Sequence, residues 1–371
     1  VRRSWLLGEL GGPLEYVSRD RERLLDVLAL PDDELLEALA GRRAQKLRAA
    51  YAAFPLTPAV RCNAREHAAA PGVQRICRHR RGYPSALSAR SAPHMLEVSG
   101  QARRLVELTS APAVAIVGAS AASDYGVAVA ASLARGLAAS GVTVVASLAD
   151  GIAVAAHAGA SEAGAGSVAV MGGGVRAACP ARRRSLYKRV NERGCAISEL
   201  PADCDGRRWG QLAGERIVVE LAAVTVVVEA RDTPGELAGA RLAGRLGRTV
   251  AAVPGRVSSP LARGPHALIA GGASLVCGAR DVLELLARVG GAGATPPRSD
   301  SARAIAAAGM PPGVRASLAR TLERVGAGVD TPGRLARAGE DPREVLLALS
   351  ELEAMGLLVR GDGGRYVPRD L

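Results

Sequence analysis

Two glycine turns lie close together in this chain, each between a run of strand character and a run of helical character. The first is in AIVGASAASDYG (115–126) and the second in VTVVASLADGIAVAAHAGA (142–160). Backbone amides at such turns, backed by helix N-termini, make an array of donors suited to an anion, above all a phosphate. Gly118, Ser120 and Gly126 on the first turn, and Ser147 and Gly151 on the second, are therefore candidate phosphate contacts. Glycine turns also permit close packing of strand on helix. Ser147 can equally cap the helix that follows it, so both readings are open.

The densest basic cluster follows Pro180: Arg182, Arg183, Arg184, Lys188 and Arg189. It comes just after the glycines of a third strand, at the carboxyl edge where open α/β sheets bind ligands. Arginine suits phosphate because its planar fork grips two oxygens at once; a solvated charged face is the plainer alternative. Arg207, Arg208 and Arg216 would extend the track, and Trp209 beside them either stacks on a base or packs in the core. Glu199, Glu215, Glu220, Glu229 and Glu236 invite an acid/base or metal reading, with Glu199 and Glu229 at strand ends. No Asp-x-Asp or histidine ligand spacing supports a metal. His157 sits among alanines, which favours a packed, hydrogen-bonded histidine over a catalytic one.

The chain has 371 residues, enough for two or three domains, and a formal net charge of +12, which favours a polyanionic partner. The charge is almost all arginine, with lysine only at Lys46 and Lys188; an Ala/Gly/Arg-heavy composition also fits a GC-rich genome. Aromatic residues make up 2%, so a grip on nucleic acid must lean on arginine and backbone amides. The six cysteines show no Cys-x-x-Cys pair and read as free thiols in a reducing compartment. The opening VRRSWLLGEL has too short an apolar run for a signal peptide, and no stretch is long and apolar enough for a membrane span. A soluble, cytoplasmic protein with no membrane contact is the expectation.

Residues 1–70 carry leucines at helical spacing (Leu24, Leu25, Leu28, then Leu35, Leu36, Leu39), with a helix start at Pro31-Asp32-Asp33. Residues 71–112 read as a connector in which MLEVSG (95–100) forms a short strand. Residues 113–289 form the core. After the opening unit, strand-like runs at 167–173, 195–200, 224–230, 249–255 and 273–276 alternate with helical stretches. Most lack polar/apolar alternation, so the expected fold is α/β, with a doubly wound, mostly parallel sheet covered on both faces. Residues 290–304 read as a linker and 305–371 as a small domain. In that domain Asp341-Pro342-Arg343-Glu344 starts a helix with Val345, Leu346, Leu349, Leu352 and Met355 on one face. A hairpin through GDGG follows, and helices before a hairpin suggest a winged helix. Glu344, Glu351 and Glu353 on its last helix would repel phosphate, which argues for protein contact or a plain structural role.

Ten segments, in order and at consistent spacing, carry a family resemblance. They are YPSAL (83–87), AIVGASAASDYG, LADGIAVAAHAGA (148–160), CPARRRSLYKRV (179–190), ISELP (197–201), GERI (214–217), VVVEA (226–230), PGELAGARLA (234–243), GRTVAAVPGRV (247–257) and SPLARGPHALIAGGASLV (259–276). Together they resemble the DNA-processing protein A family (DprA/Smf). The resemblance implies a helical, SAM-like N-terminal domain, an extended Rossmann-like core and often a winged-helix tail. It also implies single-stranded DNA binding, a homodimer, and handover of DNA to the RecA recombinase during natural transformation, with no required cofactor and no catalytic reaction. On it, the candidate nucleic-acid contacts are Gly118, Ser120, Gly126, Ser147, Gly151, Arg182, Arg183, Arg184, Arg208, Arg216 and Gly235. The chain also departs from the family pattern: Ser120 stands where arginine is usual, and Ala146, Ser147 and Ala153 alter the second turn. Arg183 replaces asparagine, Gln211-Leu212-Ala213-Gly214-Glu215 replaces all but the last arginine of Phe-Pro-x-Arg-Asn-Arg, and Pro234-Gly235-Glu236, Gly239 and His266 change later motifs.

Three functions fit the sequence. The first is a single-stranded DNA-binding recombination mediator. The second is a divergent family member with weak or lost DNA binding that acts through protein contacts. The third is a nucleotide-processing enzyme on a Rossmann-like fold, for which Pro234-Gly235-Glu236 offers too little glycine loop to cradle a nucleotide.

Overall fold

Strands without alternation need apolar cover on both faces, and the sheet has it. The computed structural model describes residues 2–53, 72–79, 82–89, 91–177, 181–289, 312–326, 332–336, 341–355, 357–360 and 366–368. Nine strands form one sheet: β1 (Val73–Cys77), β2 (Met95–Gly100), β3 (Ala113–Val117), β4 (Val144–Ser147), β5 (Ser167–Val170), β6 (Cys195–Ser198), β7 (Ala222–Val227), β8 (Thr249–Ala252) and β9 (Ser274–Leu275). Their order is β1-β2-β6-β5-β4-β3-β7-β8-β9. From β6 to β9 all neighbours are parallel, and β1 and β2 join antiparallel at one edge.

Successive side chains of a strand point to opposite faces. Val114 and Ile116 of β3 therefore pack with the helices Asp124–Ala139, Ile152–Glu162 and Ala279–Val289. Ala113 and Ala115 pack on the other side with the helices Ala102–Leu108 and Arg207–Leu221. The segment 71–112, expected as a connector, supplies β1 and β2. Glu97 of β2 is fully buried, and Arg75, directly opposite it on β1, donates to it at 2.8 Å.

Five short helices (Arg2–Glu9, Gly11–Val17, Arg21–Leu28, Asp32–Leu39 and Ala44–Ala53) come before the sheet. Their leucines share one core with Trp209, Leu212 and Ala213 of the Arg207–Leu221 helix, and Trp5 packs against it. They therefore belong to the same compact unit as the sheet, which runs from Val1 to Ala294.

A second unit spans Thr295–Leu371. Its described parts are helices Pro312–Gly326, Pro332–Ala336 and Pro342–Ala354, and antiparallel strands β10 (Leu358–Arg360) and β11 (Tyr366–Pro368) around a core containing Leu318, Leu335, Leu349 and Tyr366. Asp341 caps its last helix, accepting from Arg343 N at 2.9 Å, with Pro342 at the first helical position. Ala348 takes the inward place expected for Leu346, which is 50% exposed, because the inward stripe at 345, 349 and 352 leaves position 346 on its flank. The expected linker at 290–304 and the GDGG turn lie outside the described residues.

The Asp124–Ala139 and Ile152–Glu162 helices meet at Gly159, where an added Cβ would lie 2.1 Å from the Ala131 carbonyl oxygen. Gly159→Ala is expected to force the pair apart and cost about 1–3 kcal/mol in denaturant unfolding. Gly244, in a helix with nothing within 4 Å of its would-be Cβ, is the control. Gly244→Ala should stabilise by about 0.4–1 kcal/mol.

Candidate nucleic-acid interface

Chain order reverses between β3 and β7, with β4, β5 and β6 to one side and β8 and β9 to the other. In open α/β sheets ligands enter the crevice beyond the strand carboxyl ends at such a point. Here the first glycine turn follows β3, and Glu229, 5% exposed, follows β7. The Glu229 carboxylate accepts from Ser123 N at 2.9 Å and from Ser123 Oγ at 2.6 Å. Its backbone oxygen accepts from Ala119 N at 2.7 Å. Ser123 Oγ in turn accepts from Gly126 N at 3.2 Å and caps the helix. Two donors of the first turn, Ser123 N and Ser123 Oγ, thus hold an internal carboxylate.

Two of the predicted contacts, Gly118 and Gly126, lie against this glutamate. A Cβ on Gly126 would sit 2.2 Å from Glu229 Oε2, and one on Gly118 would sit 2.6 Å from Glu229 O. Both glycines make room for Glu229. Gly151 has φ of +71°, and its would-be Cβ falls 2.3 Å from Ala119 O. Ile152 N donates to that same oxygen at 3.2 Å, so the two turns lean on each other. Ser120 is exposed beside them.

The second turn gathers the arginines. Asp150 accepts from Arg182 at 2.5 and 3.3 Å and pairs with Arg183 Nε at 3.3 Å. Arg183 also donates to Leu148 O. Ser147, Gly151, Arg182 and Arg183 thus come together over the carboxyl end of β4. Arg182 hydrogen bonding holds the Asp150 carboxyl below the usual range, helped by the charge of Arg183 and opposed by partial desolvation. Two guanidinium groups on one carboxylate leave a net positive charge, and the Arg182 side chain is 70% exposed. Arg184 and Arg208 are exposed as well. Gly235 lies in the loop after β7, which is closed by Glu236 accepting from Arg231 N at 2.7 Å and Arg231 Nε at 2.6 Å.

Arg216 is not part of this surface. It is 1% exposed, and its guanidinium donates to both oxygens of Glu199 at 2.7 and 2.6 Å, to Ser91 O at 3.0 Å and to Ala213 O at 2.7 Å. Helical period explains the difference from Arg208, since 216 falls on the inward stripe with Leu212, Ala213, Ile217 and Glu220. Trp209, 1% exposed, packs in the core and presents no ring to a base. Glu199 and Glu229 face separate partners, and among the described residues no cluster of His, Cys, Asp or Glu could hold a metal. Burial pushes the Glu220 carboxyl up against the pull of Arg216, while Ser91 Oγ donates to it at 2.7 Å. His157 is fully buried between Ser167 Oγ at 2.9 Å and Ser147 O at 3.2 Å, and burial pushes its pKa down to about 4.

Comparison with known proteins places this geometry. The family model of DNA recombination-mediator protein A matches residues 74–287, which hold the whole sheet except the first residue of β1. The chain belongs to this family. A Mycobacterium tuberculosis protein bearing the DprA name is 35% identical over 279 residues, covering 73% of this chain and 68% of that one. The crystal structure of DNA processing protein A from Streptococcus pneumoniae superposes with a TM-score of 0.58 at 25% identity, covering 73% of this chain and 95% of that one. A Helicobacter pylori structure, described by its single-stranded DNA binding mode, shares the fold with a TM-score of 0.51 at 21% identity, covering 58% and 96%. Among the described residues no helix is long and apolar enough to cross a membrane.

Sequence reasoning missed Glu229 as the partner of the first turn and Asp150 as the clamp on the arginines. Asp150 was readable beside Gly151, whereas Glu229 is 106 residues from Ser123 and carried no local signal.

Removing Arg216 strands a buried carboxylate. Arg216→Ala should lower stability by about 3–5 kcal/mol in urea unfolding, the range for breaking a buried pair. A DNA contact would instead lose affinity at unchanged stability. His157 is neutral when folded, and its unfolded pKa of 6.5 lies above its folded value of about 4. The unfolded chain therefore binds the extra proton, and stability should fall by roughly 3 kcal/mol as pH drops from about 6.5 to about 4. Urea midpoints of the wild type and His157→Gln across that window check it, with the variant losing this part of the slope.

Proposed function

We propose that the chain is a non-enzymatic, single-stranded DNA-binding mediator of DNA processing. In this reading it acts in the cytoplasm as a homodimer during natural transformation and passes DNA to the RecA recombinase. Family membership supports the role, as does the name of the Helicobacter pylori structure with the same fold. The observation that carries it is local: Arg182 and Arg183 stand over the second glycine turn at the carboxyl edge, with Arg184 and Arg208 exposed as further grips. Phosphates would meet Ser120, Ser147, Gly151 and these arginines. Gly118 and Gly126 would serve from behind by seating Glu229, and Gly235 would border the site.

Asp150 is an internal competitor for the same guanidinium groups. An exposed pair of this kind contributes little to stability, so a polyanion can displace it. The second unit, read as a winged helix, presents Glu344, Glu351 and Glu353 to solvent and suits protein contact better than a DNA groove.

A second reading, in which DNA affinity is lost and the chain works by protein contact, draws on Glu229 filling the first turn and on the burial of Arg216. Fluorescence anisotropy with oligo-dT across salt separates the two. With four arginines on phosphates, the log–log slope should be about −3. Arg182→Ala with Arg183→Ala should weaken binding and flatten the slope, while Asp150→Asn should tighten it. Absence of binding at low salt would exclude the mediator and leave the protein-contact reading.

A further inference from the structure

Phosphate contacts alone do not distinguish a single strand from any other polyanion, whereas stacking on an open aromatic ring does so for unpaired bases. The ring that sequence offered for this, Trp209, is buried. Two tyrosines stand out as exposed among the described residues, Tyr16 at 70% and Tyr125 at 52%. The Tyr16 ring already carries the Arg19 guanidinium, 4.8 Å from its centroid. Tyr125 is at the mouth of the sheet, in the first turn of the helix that Ser123 caps.

We propose that Tyr125 is a stacking platform for an unpaired nucleobase. Its hydroxyl donates to Pro254 O at 3.0 Å, in the loop after β8, so the phenol is tied down at its tip while the ring stays open to solvent. A ring pinned this way has little side-chain entropy left to lose on binding. Burial also raises the pKa of the phenol, which keeps it neutral beside phosphate. Arg256, two residues past Pro254, is exposed in the same loop. On the other side, Arg182 and Arg183 stand over the turn after β4, the strand next to β3. With strands about 4.8 Å apart, the turn after β4 that holds these arginines and the loop after β8 that holds the Tyr125 hydroxyl are three strand spacings apart, on the order of 15 Å. That arrangement suits a sugar-phosphate backbone crossing the strand ends with one base turned down onto Tyr125. Recognition would be tolerant of sequence, because every base has a face to stack.

The inference rests on the DNA-binding reading above, and one experiment separates the two. Anisotropy is measured at low salt for wild type, Tyr125→Ala and Tyr125→Phe, each with oligo-dT and with an abasic oligomer of the same length. Tyr125→Ala should weaken oligo-dT binding on the order of tenfold, and Tyr125→Phe should stay close to wild type because it keeps the ring. On the abasic oligomer, wild type and Tyr125→Ala should bind alike. If Tyr125→Ala loses as much on the abasic oligomer, or loses nothing on oligo-dT, the stacking role is overturned while the DNA reading stands. If wild type binds neither oligomer, the DNA reading fails and the stacking role fails with it.

Discussion

One carboxylate holds the mouth of the sheet together. Glu229 comes from the end of β7 and meets the turn after β3, joining the two strands between which chain order reverses. A helix N-terminus favours a negative charge, and this one receives it from inside the molecule. Gly126 has no side chain because that oxygen needs the space, Gly118 lies against the Glu229 backbone, and Gly151 fits over Ala119. The inner side of the first turn is thereby occupied by Glu229, while Ser120 and the arginines over the second turn stand at its rim.

The charged groups divide by burial. Arg216 and Glu199 form a bidentate pair inside, with a further bond to Ser91 O that ties that residue to the Arg207–Leu221 helix and one to Ala213 O within the helix. Arg182, Arg183 and Asp150 form a looser, wetter group at the rim. The first arrangement is costly to disturb and unavailable to a ligand. The second exchanges partners at low cost, as a reversible polyanion site requires.

Much of the fold was legible because strands buried on both faces leave apolar runs, as at Val226–Val228 and Val168–Val170. β1 escaped notice because a strand on the edge of the sheet keeps polar positions such as Gln74 and Arg75. In the site, the two turns were visible, and the companions that decide their use were not. Ser123 and Glu229 meet only after the sheet has formed. Arg208 and Arg216 looked alike as basic residues on one stretch, although the inward spacing of Leu212, Ala213 and Ile217 held the information that separates them. Trp209 fell to the same stripe, since its neighbours are the leucines of the N-terminal helices, far away in sequence.

That packing has a practical side. The chain has two tryptophans, Trp5 and Trp209, and both belong to the single cluster joining the N-terminal helices to the Arg207–Leu221 helix. Intrinsic tryptophan emission is therefore a private gauge of that one seam. A spectral shift would report the front helices lifting off, and the second unit carries no tryptophan of its own to confuse the reading.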